Sequence, residues 1–422
     1  MFKNRSALFA AALLGLVLLG GLVYQIPAVK TRLGWRIDAA GAYLRGVIQP
    51  AGAVPTPKSV FVPPTLEAEP SPTPQPSPTA SPLPAGTDIP TATPTLLPTP
   101  TPTAIPESVQ LPAPDWVRQD WNNCGPAALT MYLRFWGWEG DQYEISDLLK
   151  PARNDRNVNV EELDYYVRNY AGWLETVYRV GGDVEMIKQF VAAGIPVIVE
   201  VSFYFEAPYW PDDDLWAAHY LLVTGYDDAT RTFTVQDTFK GPNRTISYET
   251  LEDYWQPFNY LFMLVYPPDR EETVRVILGE NWDEETNRES ALAIAQEEID
   301  ADPEDGYAWF NLGTNLLYFE RYEEAAQAYD RARQIGWPQR MLRYQFGPFF
   351  AYFHTGRNED LLTLTEYALR VTPKSEEAHL WRGWGLYRQG DVNGAVAEFR
   401  KALEINPNYW DAQYALDFVL GE

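Results

Sequence analysis

Residues Gln119-Asp120-Trp121-Asn122-Asn123-Cys124-Gly125-Pro126-Ala127-Ala128-Leu129 set a thiol among features that would make it reactive. Apolar Ala128, Leu129, Tyr132, Leu133 and Trp136 recur at helical spacing, and Pro126 suits a first turn, so Cys124 is expected just before a helix N-terminus. There the helix dipole and the unpaired backbone amides favour thiolate over thiol. Cys124 is the single cysteine of the chain, so no disulfide partner within the chain competes for it. Gln119 lies five residues earlier. Its side-chain amide and the Cys124 N–H could together hold the oxyanion of a tetrahedral intermediate. The chemistry these residues could do is acyl transfer.

A thiolate nucleophile needs a base, and the chain has three histidines. His354 and His379 fall in a helical, repetitive region, the first near an inter-helix turn and the second at a core-packing position. His219 opens the apolar run Ala217-Ala218-His219-Tyr220-Leu221-Leu222-Val223-Thr224-Gly225-Tyr226-Asp227, which reads as a strand. The start of a rigid strand can hold an imidazole against a helix N-terminus. The ring in turn needs an orienting acceptor. Asp237 ends the next predicted strand, Thr232–Asp237, and would reach the ring if the two strands pair through the turn at 227–231. Asp227 and Asp228 are rival acceptors, although Asp-Asp-Ala-Thr reads as turn chemistry.

The pattern Gln-x4-Cys-Gly-Pro-Ala, then Ala-His-Tyr-x3-Val-x-Gly-Tyr-Asp, then Asp after a strand resembles the bacteriocin-processing-like cysteine peptidases. These are papain-like relatives of the double-glycine leader peptidases attached to some export transporters. The resemblance covers roughly residues 110–268. It implies an α+β papain-like fold, Cys124 as nucleophile, His219 as general base and acid, Asp237 as orienting residue and Gln119 as oxyanion donor. It implies a peptide or protein substrate and no cofactor. The family often has proline after the third acid, where this chain has Thr238. No transporter domain accompanies the motif, so leader-peptide cleavage is not inherited with it. The competing readings are an inactive peptide-binding scaffold and a related amidase or acyl transferase.

The elements that must position these residues alternate in type. Strands are predicted at 195–201, 220–225, 232–236 and 261–266, and helices at 126–136, 160–170 and 184–193. Helices followed by an antiparallel sheet give an α+β domain over residues 115–268. The insertion Phe203–Trp216, just before His219, either borders a substrate cleft or forms a surface loop with a solvated acidic tip at Asp212-Asp213-Asp214. That triplet lacks the spacing of a calcium loop, and no metal site is expected.

Residues 283–422 read as all-α. Gly356 and Gly390, like Pro373 and Pro407, are 34 residues apart, the period of the tetratricopeptide repeat. One copy carries Gly383, Leu386, Ala395, Phe399, Ala402 and Pro407, an earlier one Trp309, Leu312, Gly313, Ala325, Tyr329 and Ala332, and a degenerate one lies between. Such arrays commonly grip a peptide or protein partner on their concave face.

Upstream, residues 1–28 contain an apolar run from Ala7 to about Ile26, long enough for a membrane-spanning helix. It ends in Val23-Tyr24-Gln25-Ile26-Pro27, a poor cleavage site, so an uncleaved anchor is expected. Lys3 and Arg5 precede the run and Lys30, Arg32 and Arg36 follow it, which divides the positive-inside signal. Residues 29–49 could form a basic amphipathic helix on the membrane surface. Residues 50–114, rich in Pro, Thr, Ser and Ala, read as an extended stalk. These segments predict a single-pass protein of the cell membrane with its folded domains outside the cytoplasm. The formal charge of −25, from 33 basic and 58 acidic residues, argues against a nucleic-acid partner, because no basic surface is available to release phosphate counterions.

Overall fold

The structure, a computed structural model, describes residues 27–58, 105–151 and 158–421, with positions 15, 20, 21 and 24 in addition. Most of the expected anchor and most of the Pro/Thr/Ser stretch therefore lie outside the described residues. Among those described, no helix is long and apolar enough to cross a membrane. The first helix whose bounds are described, α1, is Pro27–Ile48.

The α+β unit runs β1 (Ser108–Gln110), α2 (Cys124–Phe135), α3 (Gln142–Leu149), α4 (Val160–Tyr170), β2 (Glu175–Arg179), α5 (Val184–Ala192), β3 (Val197–Tyr204), β4 (Trp216–Asp227), β5 (Thr232–Asp237), β6 (Gly241–Ser247), α6 (Tyr248–Trp255) and β7 (Phe262–Tyr266). The strands form one antiparallel sheet in the order β2-β7-β3-β4-β5-β6, with β1 added to β4. Central β3 reads Val-Ile-Val-Glu-Val-Ser-Phe-Tyr and is buried at every position but the last. Its continuous apolar character has a physical cause: both faces of the sheet are covered. Ile198, Tyr220, Leu222, Met263 and Val265 pack with side chains of α2 and α4. Val199, Val201, Leu221, Val223 and Phe262 point the other way, into a core shared with α5 and α6.

The expected helices and strands recur with shifts of a few residues. β4 begins earlier than its apolar run suggested, because residues 216–219 pair with residues 201–204 of β3. His219 therefore sits inside a strand rather than at its start. The sheet also reaches into the stretch expected to be stalk, since Ser108–Gln110 pairs with β4.

Helix α7 (Glu271–Leu278) packs Val274 and Leu278 into the core shared with α5 and α6. The repeat unit comprises α8 (Glu284–Ala301), α9 (Gly306–Tyr318), α10 (Tyr322–Ile335), α11 (Gly347–His354), α12 (Asn358–Val371), α13 (Glu376–Arg388), α14 (Val392–Ile405) and α15 (Trp410–Leu420). The pairs α9–α10, α11–α12 and α13–α14 correspond to the three sequence copies, and short α11 is the degenerate one. Within the last pair the helices approach so closely that a Cβ at Gly383 would lie 2.4 Å from the Phe399 ring. Only glycine fits there.

The two units share an interface built from side chains. Asn259 and Asn315 exchange amide hydrogen bonds at 2.8 and 3.2 Å, and Trp216 stacks on Phe258 at 5.8 Å within the repeat core. The insertion before β4 supplies much of the rest. Arg340 donates to both carboxylate oxygens of Asp213 at 2.6 and 2.7 Å and lies 4.0 Å over the Trp210 ring. The Asp213 side chain is fully buried. Of the two readings of this insertion, the bordering of a cleft fits Phe203, Phe205, Tyr209 and Trp210. Asp213 of the acidic triplet is no solvated tip but an inter-unit lock, whose partner lies 127 residues further along the chain. On the repeat side, α9 also uses Asn311, whose amide donates to the Gln256 carbonyl at 2.8 Å. That face of the array is engaged within the chain.

Candidate active site

Cys124 is the first residue of α2. As such its N–H has no acceptor within the helix, and its sulfur sits where unpaired amides converge. Gly125 allows a close approach, because a Cβ there would come 3.3 Å from the Tyr220 ring of β4. The loop before the helix is held by buried Gln142. Its Oε1 accepts from Asp120 N and Asn123 Nδ2, both at 2.8 Å, and its Nε2 donates to Arg118 O at 2.9 Å. Asn122 adopts a left-handed backbone, φ 52°, which asparagine tolerates. Its carbonyl accepts from buried Lys150 Nζ at 2.7 Å.

His219 and Asp237 come together as the expected strand pairing requires. Asp237 lies opposite Leu221 in the β4–β5 ladder, so His219, two residues earlier on the same face, is its diagonal neighbour. His219 Nε2 and Asp237 Oδ1 are 2.9 Å apart. The same oxygen accepts from the backbone N–H groups of Phe239 and Lys240 at 2.8 and 2.9 Å. These bonds fix the carboxylate before it meets the ring. With Nε2 taken, Nδ1 remains for the Cys124 thiol.

Charge and hydrogen bonding outweigh burial at all three groups. Burial pushes the Cys124 thiol up, but the hydrogen bond and charge of His219, the Tyr220 N–H and Lys150 bring it below its ordinary value. Burial pulls His219 down, yet the bonds and charges of Asp237 and Cys124 push it up to about 9. Asp237 falls below the usual carboxylate range: burial raises it, and His219 with the two backbone N–H groups lowers it further than that. The arrangement thus favours a thiolate beside an imidazolium, backed by a carboxylate.

Gln119 is oriented by the residue that departs from the family pattern. Thr238 Oγ1 donates to Gln119 Oε1 at 2.8 Å, and the Gln119 N–H donates to the Thr238 carbonyl at 3.0 Å. Its oxygen is thus occupied, and both Gln119 and Cys124 line the same cleft.

That cleft holds about 470 Å³. Its walls come from three parts of the chain: Phe203, Phe205 and Tyr209 of the α+β unit, Arg343 and Tyr344 of the repeats, and Ala42 and Arg45 of α1. Arg343 also donates to Asn122 Oδ1 at 3.0 Å, two residues before Cys124. Glu200 lines the cleft too. Burial, aided by the nearby Cys124 charge and opposed by a hydrogen bond with Tyr220, raises its carboxyl well above the usual range. Sequence reasoning missed Gln142, Thr238, Glu200 and Arg343. Only Thr238 had a local signal, its position beside Asp237.

The rival residues are accounted for elsewhere. Asp227 Oδ1 accepts from Thr230 N at 3.0 Å within its turn, and Asp228 pairs with Lys188 at 2.9 Å. His379 Nδ1 is 2.5 Å from Glu398. Exposed His354 stacks on Tyr322 with ring centroids 4.2 Å apart. Among the described residues, no group of three or more His, Cys, Asp or Glu is placed to hold a metal ion.

Residues 104–263 match the model of the Peptidase C39 like family, and residues 284–340 and 376–409 match tetratricopeptide-repeat models. A solved structure described as a C39-like peptidase from Bacillus anthracis is 18% identical. The likeness covers 38% of this chain and 98% of that one, with a TM-score of 0.31. The repeat protein YrrB, described as having an unusual peptide-binding site, is 20% identical over 32% of this chain and 68% of its own, with a TM-score of 0.29. Among curated proteins, the tetratricopeptide repeat and J domain-containing co-chaperone DNJ1 of Cryptococcus neoformans var. grubii is 24% identical over 127 residues. The match spans 30% of this chain and only 18% of that relative's length.

Proposed function

We propose that the Peptidase C39-like domain of this chain is a cysteine peptidase that cleaves peptide bonds through an acyl-enzyme, followed by tetratricopeptide repeats that serve peptide or protein recognition. The observation that carries this reading is the 2.9 Å pairing of His219 Nε2 with Asp237 Oδ1, which leaves Nδ1 to a thiol of lowered pKa. The Cys124 thiolate attacks the scissile carbonyl carbon and forms the C–S bond. The oxyanion is held by Gln119 Nε2–H and the Cys124 N–H. Imidazolium His219 gives its proton to the leaving amine as the C–N bond breaks. Neutral His219 then takes a proton from water, hydroxide attacks the thioester, and the carboxylate product departs as thiolate and imidazolium are restored.

Arg45, Arg118 and Arg343 on the cleft wall favour substrates with acidic side chains near the scissile bond. On this reading the protein is a single-pass membrane protein acting outside the cytoplasm. The apolar run before α1 supports the anchor. So does the outer face of α1, where Ile37, Leu44 and Ile48 are exposed on one side while Ala42 and Arg45 meet the cleft.

The test is a thiol-reactive peptide probe together with a fluorogenic peptide library and mass spectrometry of the products. Labelling at Cys124 that is lost in Cys124→Ala and slowed in His219→Ala, with turnover of peptide substrates, supports the peptidase. A wild type that neither labels nor turns over would instead be a peptide-binding scaffold. Products from a non-peptide amide would mark an amidase or acyl transferase.

A further inference from the structure

The segment after α1, Pro50-Ala51-Gly52-Ala53-Val54-Pro55-Thr56-Pro57-Lys58, has the composition of the Pro/Thr/Ser stretch it opens, yet it is seated on the repeats. Ala51 is only 7% exposed, and Val54 packs against the repeat core. Arg333 of α10 donates twice to the Pro55 carbonyl, from Nε at 3.0 Å and Nη2 at 2.8 Å. Tyr367 of α12 donates to the Gly52 carbonyl at 3.3 Å. Asp360 of α12 accepts from Lys58 N at 3.2 Å, and Lys58 Nζ reaches Glu359 at 2.6 Å.

The receiving groove is organised in advance. The Arg333 guanidinium is fully buried and held from beneath by Asp360 at 3.1 Å and by the Tyr352 hydroxyl at 3.0 Å. It therefore presents two fixed N–H groups to one carbonyl. An extended segment interrupted by prolines suits such a groove, because its carbonyls are not committed to a helix or a ladder and its ordering entropy is already low. Nearer α1, a Cβ at Gly46 would lie 2.3 Å from Trp210, so the helix end is in direct contact with the inter-unit loop.

We propose that residues 51–58 are an intramolecular docking peptide, bound in a groove between α10 and α12, which fixes the folded units directly to α1. The consequence is topological. Residue 58 is held on the repeats and residues 108–110 are held in the sheet, so the Pro/Thr/Ser segment leaves and re-enters one folded body. Such a segment closes a loop and does not space the folded units away from α1, whatever its length. The partner the groove fits is an extended, proline-flanked backbone with a basic residue after it.

The test uses the full chain in detergent solution, with a sequence-specific protease site inserted between residues 59 and 104. After cleavage, size exclusion reads whether the N-terminal fragment stays with the body. Retention in the wild-type background, and release on Val54→Asp or Ala51→Arg, is the expected result. Both substitutions lie on the docking peptide and leave the repeat core intact. Arg333→Ala should release the fragment as well, with its circular dichroism melting curve recorded to separate lost docking from lost folding. A wild-type fragment that dissociates on cleavage overturns the proposal. So does a fragment that stays bound despite both docking-peptide variants, since other contacts would then carry the attachment.

Discussion

Thr238 Oγ1 donates to Gln119 Oε1 at 2.8 Å, and the two residues are joined a second time through their backbones. A hydroxyl therefore holds the Gln119 amide by its oxygen. Thr238 is completely buried, so Thr238→Val keeps the volume and removes only the hydroxyl. The amide then loses its reason to hold one orientation, because the half-buried Gln119 oxygen loses its donor. We expect kcat to fall on the order of tenfold while the alkylation rate of Cys124 stays unchanged. Gln119→Ala removes the donor itself and should cost about 10²–10³ in kcat. Equal losses in alkylation and turnover would show that Thr238 acts on the thiol and not on the amide.

The thiol and the imidazole titrate as a pair. Cys124 lies below its ordinary value and His219 at about 9, so the ion pair exists between the two. As pH rises, kcat/KM should climb on an acid limb below the usual thiol range, then fall with a midpoint near 9 as the imidazolium loses its proton. Iodoacetamide alkylation followed against pH should reproduce the acid limb. A single rise centred at the value of an ordinary free thiol would remove the ion pair.

Asp237→Asn keeps the shape and deletes the charge that favours the imidazolium. Loss of a negative neighbour lowers the His219 pKa, so the alkaline limb moves toward lower pH. The backbone donors of Phe239 and Lys240 still hold the side chain, so the fold should tolerate the change. Turnover should drop at least about tenfold, because the ring loses its orienting acceptor. The shift of the limb separates this role from a merely structural one, which would lower activity at every pH alike.

Parts of this site were legible in the sequence for physical reasons. The start of α2 follows from Pro126 and the apolar spacing behind it, which fixed the setting of Cys124 without any tertiary information. His219 emerged because His354 and His379 fall at repeat positions, and Asp237 because a short turn between two apolar runs forces their pairing. What was not legible depends on contacts between distant segments. Gln142 ties the loop before Cys124 from a separate helix, and Arg343 arrives from the repeats. Likewise, nothing in the composition of residues 50–58 distinguishes them from the stretch that follows; their order comes from Arg333, Asp360 and Tyr367, some 280 to 315 residues further along the chain.

The inter-unit lock leads to a last prediction. The Asp213 and Arg340 side chains are 0% and 2% exposed, so neither charge has water to fall back on. Burial raises the Asp213 carboxyl, but the Arg340 bond and charge and two backbone N–H groups hold it below the usual range. Removing one partner strands the other, and breaking such a pair costs about 3–5 kcal/mol. Asp213→Ala leaves Arg340 with the Trp216 carbonyl at 3.0 Å and the more distant Asp214, which does not replace a bidentate carboxylate. The double variant Asp213→Leu with Arg340→Met removes both charges and should recover part of the loss. Scanning calorimetry checks this order. The cleft gives a second readout, because Arg340 sits over Phe205, Tyr209 and Trp210, which line the wall facing Cys124. If the lock shapes that wall, Asp213→Ala should raise KM more than it lowers kcat, and the double variant should keep the raised KM even as its stability returns.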